Sequence, residues 1–265
     1  MRRPWSQTRL DRREALAALG TVTLGSVLAA CGEDDRSGGG TGATKVTTTE
    51  GETATVQPKT STSGATAERF DAAGSCTVTA EQTEGPYYFD VDAIRSDITE
   101  DRDGTPLRLA LRVRDAGSCD PLANAVVDIW HCDAVGRYSG FESATTGGGA
   151  PGGGRSDRQT YLRGAQVTNR DGIVEFRTIY PGSYPGRTVH VHAKVHLDRT
   201  TVLTTQLYFD EATTERVYAA APYAGAESRD TTNATDGIYD RALQLRLERE
   251  GDGVLGLLTF DVRRA

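Results

Sequence analysis

The run of residues 180–192, YPGSYPGRTVHVH, combines residue types that can hold a metal ion. If the run ends in a β-strand, His190 and His192 point to the same face with Cα atoms about 6.6 Å apart, so both imidazoles can reach one ion. Tyr184 lies upstream in a Pro/Gly turn and can direct a phenol oxygen to the same point. The chain contains only four histidines. This concentration predicts a metal site with nitrogen and oxygen ligands.

Alternating apolar residues indicate the strands that must position this segment. Residues 107–113 carry Leu or Val at every second position, which predicts a half-buried strand, and a turn-rich segment then leads into a returning strand over 125–130. Further strands are predicted over 161–168, 173–178, 189–197, 202–209 and 254–263, and one short helix over 211–219. The pattern predicts an all-β fold, an antiparallel β-sandwich with short helical pieces and long loops.

Composition limits the possible partners. The chain has 265 residues and a formal net charge of −7. A nucleic-acid partner would favour a basic face, so this acidic balance argues against one. Residues 71–265 are long enough to form a single domain with a sizeable core.

The N-terminus has the features of an export signal. Arginines precede an apolar run over residues 15–30 that is too short to span a bilayer as a mature helix. The run ends Leu-Ala-Ala-Cys, which resembles a bacterial lipobox and predicts a lipid anchor on Cys31; the alternative is an ordinary secretory signal with an incidental cysteine. We therefore expect a signal peptide over 1–31 and export, either as a lipoprotein on the extracellular side of the membrane or as a secreted protein. Sec and Tat export both remain open.

Residues 32–70 are rich in Gly, Thr, Ser and charge, and they predict a flexible linker. Three cysteines follow the linker: Cys76, Cys119 and Cys132. Outside the cytoplasm one disulfide is expected, with one thiol left unpaired. Cys119 lies in a turn and Cys132 near the far end of the next strand, so that pair is disfavoured. Cys76 with Cys119 is the preferred pairing, although the other pairings stay open.

Several motifs in a fixed order resemble those of the intradiol ring-cleavage dioxygenases, the non-haem ferric enzymes that include the protocatechuate and catechol dioxygenases. The resemblance is to the exported, single-chain branch and covers roughly residues 76–210. The matching segments are EQTEGPYY (81–88), GRY (136–138), FRTI (176–179), PGSYPGRTVHVH (181–192) and TQLYF (205–209).

The resemblance implies which residues bind and which act on substrate. Tyr138, Tyr184, His190 and His192 match the family's four iron ligands, so one Fe(III) ion per chain is the expected cofactor, and no organic cofactor is needed. Hard, anionic phenolates stabilise Fe(III) over Fe(II), which gives this ligand set a physical reason. Tyr184 also matches the ligand that leaves and acts as a base. Two further residues match positions that face the substrate, Arg187 and Gln206.

The function implied by the resemblance is cleavage of a catechol ring between its two hydroxylated carbons. The partners are a small aromatic diol and O2, and the product is a cis,cis-muconic acid. Arg187 is expected to stabilise negative charge that develops on the ring. The ring substituents and the oligomeric state stay open.

Two other classes compete with this hypothesis. An exported β-sandwich binding module predicts no iron and no colour. A different His-x-His metal enzyme, such as a copper–zinc superoxide dismutase or a cupin, needs ligands that the chain does not supply. His131 and His196 are not expected to bind the ion. Tyr87 and Tyr88 suit either a pocket wall or the core, and Trp130 is expected in the core.

Overall fold

The computed structural model describes most of the chain beyond the predicted signal peptide. The described residues are 44–47, 53–56, 67–70, 76–91, 93–141, 155–198, 200–225 and 229–264. The predicted signal peptide and its Cys31 lie outside them, as does most of the predicted linker. Within these ranges no helix has the length and apolar character needed to cross a membrane.

The regular elements of the described part are ten strands, one α-helix and three short 3-10 turns. In chain order the strands and helix are β1 (Thr44–Thr47), β2 (Thr53–Val56), β3 (Pro106–Asp115), β4 (Val126–Trp130), β5 (Arg163–Val167), β6 (Ile173–Ile179), β7 (His190–Leu197), β8 (Thr200–Tyr208), α1 (Glu211–Tyr218), β9 (Arg246–Glu250) and β10 (Gly253–Val262). The 3-10 turns are Ala67–Arg69, Tyr223–Gly225 and Arg241–Leu243.

Eight of these strands form two four-stranded sheets. One sheet has the strand order β6-β3-β10-β9, and the other has β5-β4-β7-β8. This arrangement confirms the predicted all-β sandwich. The helix α1 begins at Glu211, and the side chain of the preceding residue, Asp210, accepts a hydrogen bond from the Thr213 amide and so caps the N-terminus.

The topology differs from the expected one in three details. β4 is not the hairpin partner of β3, because the two strands lie in different sheets. β10 runs parallel to β3, with Val254 opposite Leu107, so the sandwich is not wholly antiparallel. β9 was not predicted from the sequence at all. Its residues, RLERE, are mostly charged, which suits a strand at the edge of a sheet. They show no alternation of apolar residues from which a strand could be predicted.

The main core lies between the two sheets and follows the period-two pattern. Leu107, Leu109, Leu111 and Val113 of β3 are almost completely buried in it, together with β4, β7 and β10 residues of the same cluster. Each such side chain contributes about 1.5–3 kcal/mol by leaving water. The inward set of β7 is Val191, Ala193 and Val195. The alternation therefore turns the histidines of β7 to the opposite face of the sheet.

The N-terminal part of the domain is tied to the body by a disulfide. Cys76 and Cys119 are bonded, with Cα atoms 5.6 Å apart, which confirms the preferred pairing. Cys132 is the free, buried cysteine. From Cys76 the chain crosses the β5-β4-β7-β8 sheet, where the Gln82 amide donates to the Thr204 carbonyl over 2.8 Å. This covering segment, residues 76–91, shields the face that carries the histidines.

Two features lie inside the segment predicted as a linker. β1 and β2 pair antiparallel, from Thr44 opposite Val56 to Thr47 opposite Thr53. Their sequences, TKVT and TATV, are rich in β-branched residues, which favour strands. Phe70, the last residue of the predicted linker, is buried in a small cluster with Ala110, Ile173, Leu255 and Leu257. Contacts with the folded body therefore begin before residue 71.

Candidate metal centre

His190 and His192 of β7 lie side by side on the outer face of their sheet. Their Nε2 atoms are 3.1 Å apart, and both residues are 2% exposed. His192 is opposite Trp130 of β4 on one side and opposite Gln206 of β8 on the other. Since Trp130 is itself opposite Arg163 of β5, one row of side chains crosses the whole sheet.

Backbone contacts orient the first histidine. Its Nδ1 lies 2.6 Å from the Thr188 carbonyl oxygen, and because a carbonyl can only accept, Nδ1 carries the proton. The lone pair of His190 Nε2 then faces the centre, which is the tautomer that a metal ligand needs. Burial lowers the pKa of His190 to about 3, so the ring is neutral at physiological pH.

The second histidine is held by ring packing. The Trp130 indole stacks on His192 with centroids 4.9 Å apart and an interplanar angle of 7°. On the other side, a Cβ added to Gly85 would lie 3.2 Å from His192 Cε1, so the covering segment approaches closely there. Burial, followed by the repulsion that a protonated His190 would exert, lowers the pKa of His192 well below its ordinary value. Its Nδ1 is buried without a hydrogen-bond partner among the described residues.

Tyr138 comes from the loop after β4. Asp133 shapes this loop, because its carboxylate accepts hydrogen bonds from the amides of Val135 and Arg137. The Tyr138 side chain is completely buried and lies under Tyr87, with ring centroids 4.8 Å apart. Its Oη is 3.5 Å from His190 Nε2.

Tyr184 comes from the turn before β7. Its Oη is 3.0 Å from His190 Nε2, and its ring meets the edge of Tyr138 with centroids 5.7 Å apart. In contrast to Tyr138, this residue is half-buried. Burial raises the pKa of both phenols, so both are neutral unless a cation lies beside them.

These four side chains fit a single metal ion. The three distances from His190 Nε2 to its neighbours are 3.0, 3.1 and 3.5 Å. Two nitrogen or oxygen ligands about 2.1 Å from one ion, at about 90–110° to each other, are about 3.0–3.4 Å apart. Among the described residues, no three His, Cys, Asp or Glu side chains cluster in a way that could hold an ion. The donor set therefore depends on its two tyrosines.

Arg187 and Gln206 lie beside this centre and contact each other through Arg187 Nη2 and Gln206 Oε1. Gln206 is completely buried, and its amide nitrogen also donates to the Thr83 carbonyl over 2.9 Å. Arg187 Nε donates to Asp236 over 2.9 Å. The structure thus brings together all six residues that the sequence singles out.

The remaining histidines make contacts elsewhere. His131 is buried, with Nδ1 2.8 Å from the Cys132 carbonyl oxygen and Nε2 2.7 Å from Thr178 Oγ1. His196 Nδ1 is 3.0 Å from Thr201 Oγ1. Among the described residues, neither ring forms a hydrogen bond with the four side chains of the centre.

Of three further neighbours of the centre, one, Asp236, was not indicated by the sequence. Trp130 is buried as expected, in a second hydrophobic cluster with Tyr138, and it packs on His192; its phase relative to Val127 and Ile129 is the pattern that places it on this face. Tyr87 lines the centre through its contact with Tyr138. Asp236 lies in an irregular segment with no pattern that could have revealed it.

Comparison with known proteins identifies the class. A family model described as a dioxygenase matches residues 83–221, just over half of the chain. Together with the sandwich and the paired His and Tyr donors, this match shows that the chain belongs to the intradiol ring-cleavage dioxygenase family.

Among individual relatives, an intradiol ring-cleavage dioxygenase from Tetranychus urticae is 34% identical with a TM-score of 0.67, over 71% of this chain and 95% of that one. Catechol 1,2-dioxygenase 1 of Acinetobacter lwoffii is 33% identical over 151 residues, which are 48% of this chain and 45% of the relative. A chlorocatechol 1,2-dioxygenase of Rhodococcus opacus is 31% identical over 129 residues, 42% of this chain and 46% of the relative. The chain spans about half the length of these two curated relatives.

Proposed function

We propose that this protein is an Fe(III)-dependent intradiol dioxygenase. It cleaves the ring of a catechol between the two hydroxylated carbons with O2 and forms a cis,cis-muconic acid. The observation that carries the proposal is the convergence, in a buried site, of the second imidazole nitrogen and two phenol oxygens within 3.0–3.5 Å of His190 Nε2.

The donor types favour ferric iron. Tyr138 and Tyr184 supply hard oxygen ligands that become anionic beside a highly charged cation, whereas softer ligands would suit other metals. His190 and His192 are already neutral, so they bind without first losing a proton. When bound, the iron supplies a Lewis acid that activates the catechol toward O2.

The two tyrosines are suited to different roles. Tyr138 is completely buried beneath Tyr87, so its movement would disrupt packing. Tyr184 is half-buried, in a turn that forms a single bridge with Arg187. We therefore assign Tyr184 as the residue that gives way to substrate and takes a hydroxyl proton on its Oη, while Tyr138 stays in place.

Arg187 has the charge and position to assist the reaction. Its side chain is 20% exposed, and it is held by Gln206 and Asp236 next to the four donors. A guanidinium fixed at this point stabilises negative charge as it develops on the substrate ring, without reorganising during the reaction. Gln206, as its neighbour, helps to set the guanidinium plane.

We also propose that the mature protein is exported and anchored to the membrane by a lipid on Cys31, with residues 32–70 as the linker to the domain 71–265, apart from the end of this segment, where Phe70 packs against the domain. The support is the signal-like sequence of residues 1–31 and the Cys76–Cys119 disulfide, a bond that persists in oxidising compartments.

Metal analysis, visible spectroscopy and oxygen uptake test the enzymatic proposal together. The purified protein is expected to hold one iron per chain, to show a broad tyrosinate-to-iron band, and to consume O2 with at least one member of a small panel of catechols. Tyr138→Phe and His192→Ala should each remove the band and the activity.

The matched controls are Tyr223→Phe and His196→Ala. Tyr223 is a buried tyrosine whose Oη donates to the Tyr180 carbonyl, and His196 is on the same strand as His192, so both variants should keep iron and colour. A colourless wild-type protein with stoichiometric zinc and no oxygen uptake would overturn the proposal.

A further inference from the structure

A segment beyond the family match braces the turn between the candidate ligands Tyr184 and His190. The match ends at residue 221, whereas this bracing segment spans residues 229–240. Its side chains receive hydrogen bonds from three consecutive residues of the turn. Asp230 accepts from the Gly186 amide, Asp236 from Arg187 and the Thr188 amide, and Asn233 from the Thr188 hydroxyl.

Within the bracing segment, Asp236 has the most connected position. Its side chain is 1% exposed. Oδ2 accepts from Arg187 Nε and from the Thr188 amide, each over 2.9 Å, and Oδ1 accepts from the Ile238 amide over 3.0 Å. Although burial raises the pKa of Asp236, the hydrogen bonds from Ile238, Thr188 and Arg187 outweigh it, and the pKa is lowered. The carboxylate is therefore charged at neutral pH.

The same carboxylate oxygen acts on two parts of the centre. Through Arg187 Nε it sets the guanidinium in the position from which Nη2 reaches Gln206. Through the Thr188 amide it holds the residue whose carbonyl accepts the proton of His190 Nδ1. A short, buried, charge-assisted contact of this kind restricts a long arginine side chain to one orientation.

We propose that Asp236 is a positioning residue for Arg187: its carboxylate fixes the guanidinium in the orientation that acts on the substrate. This inference rests on the proposed function. A misplacement of about 1 Å at such a group can cost about a hundredfold in rate, so the contact matters for turnover although Asp236 does not touch substrate.

The first test compares two asparagine variants. Asp236→Asn removes the charge that holds Arg187. Asp230→Asn removes the same charge from the same segment, but the asparagine oxygen can still accept from the Gly186 amide, and this side chain does not hold the Arg187 guanidinium. With iron content and the visible band of the substrate-free enzyme unchanged in both, Asp236→Asn is expected to lower kcat about tenfold or more with little change in KM, and Asp230→Asn to leave kcat at the wild-type value.

A double-mutant cycle separates positioning from general support. Arg187→Ala should lower kcat by at least as much as Asp236→Asn. The double variant should be no slower than Arg187→Ala alone, because an asparagine oxygen can still accept from the Thr188 amide and the lost charge then acts on kcat through Arg187. Asp236→Glu, which keeps the charge but shifts it, is the second variant if the asparagine does not fold; it is expected to lower kcat in the same direction. Additive effects in the cycle, or equal kcat for Asp236→Asn and Asp230→Asn, would overturn the inference.

A readout without iron tests the contact itself. In proton–nitrogen NMR of the metal-free protein, the Arg187 Nε–H should give a sharp, slowly exchanging signal, assigned by its loss in Arg187→Lys. The signal should persist in Asp230→Asn and broaden or vanish in Asp236→Asn. If the wild-type protein lacks iron and activity, the proposed function fails. If the enzyme is active but this signal is the same in both asparagine variants, the positioning role alone fails.

Discussion

At the scale of single residues, burial keeps the candidate ligands in their neutral forms until a cation is present. The pKa of His190 is lowered and the pKa values of Tyr138 and Tyr184 are raised, in each case mainly because the charged form is poorly solvated. The imidazoles are thereby ready to bind, whereas the phenols must lose protons to the incoming metal. Metal binding is therefore expected to release protons and to weaken as the pH falls.

The remaining buried histidine predicts a pH effect on stability that is separate from the centre. Burial lowers the pKa of His131 from 6.5 to about 4. Between about pH 6.5 and 4 the unfolded chain therefore binds a proton at this histidine that the folded protein does not bind. The contribution of the buried neutral imidazole to the free energy of unfolding is present in full above about pH 6.5. It is lost as the pH falls toward 4, by about 3 kcal/mol over this range.

Denaturant unfolding of metal-free wild type and His131→Gln at several pH values measures this effect. The difference in unfolding free energy between the two proteins should change with pH by up to about 1.4 kcal/mol per unit between pH 4 and 6.5, and be constant above pH 7. The other histidines are present in both proteins, so the larger part of their own pH dependence, which comes from burial, cancels. A constant difference over the whole range would show that His131 is not held neutral.

The sequence predicts these residues unequally, for physical reasons. The common face of His190 and His192 follows from strand periodicity alone. The approach of Tyr138 and Tyr184 does not, because two loops bring them together, and only the family resemblance indicated it. Neither strand periodicity nor the family resemblance indicates Asp236, because it lies in no periodic segment and its partner Arg187 is far away in the chain.

At the scale of secondary-structure elements, strand register assembles the centre. The row Arg163, Trp130, His192 and Gln206 crosses four adjacent strands, and Tyr208 lies opposite His190 in the next position. Because one face of this sheet packs in the core, a slip of one residue would turn the histidines inward. The burial of Val191 and Ala193 in the core therefore also keeps the ligands on the correct face.

The strands themselves were mostly predictable, and their connections were not. The alternation in β3 and β7 is strong enough to locate both. The same alternation is compatible with a hairpin or with a change of sheet between β3 and β4. The choice depends on contacts distant in sequence, such as the parallel pairing of β3 with β10, which no local pattern encodes.

Close packing of two loops predicts a sensitive glycine. Gly136 has a φ of +83°, and a Cβ there would lie 2.3 Å from the carbonyl oxygen of Ser183. Gly136→Ala should therefore separate the Tyr138 loop from the Tyr184 turn. We expect a loss of unfolding free energy well above the approximately 1–2 kcal/mol of the positive φ alone, with weaker iron retention.

Gly251→Ala provides the control. Gly251 also has a positive φ, +60°, but nothing lies within 4 Å of an added Cβ. This variant should lose only about 1 kcal/mol and should keep its iron. Thermal unfolding and metal analysis of the two variants measure these effects. Equal losses of stability and of iron in both variants would contradict the contact between the two loops.

At the scale of the whole molecule, the described part combines a sandwich with a cover that closes its outer face. The covering segment 76–91 begins at the disulfide and ends beyond the rings that contact the centre. The disulfide joins residues 43 positions apart in the chain. Closing this loop lowers the entropy of the unfolded chain, so the disulfide stabilises the fold by about 2–4 kcal/mol. Such a bond persists in oxidising compartments, which is where the proposed export would place the protein.

The proposed location of the protein leads to a prediction about Cys31. If this cysteine carries the lipid, wild-type protein expressed in a bacterium should fractionate with membranes and be released by detergent, because acyl chains supply the affinity. Cys31→Ser should still be exported but should fractionate as soluble protein.

Cys132→Ser is the matched control, since that buried thiol contacts the Gly182 carbonyl within the domain and should not affect location. Immunoblots of the membrane and soluble fractions measure the outcome. Equal distribution of wild type and Cys31→Ser would exclude the lipid anchor and leave an ordinary secretory signal, without bearing on the chemistry of the centre.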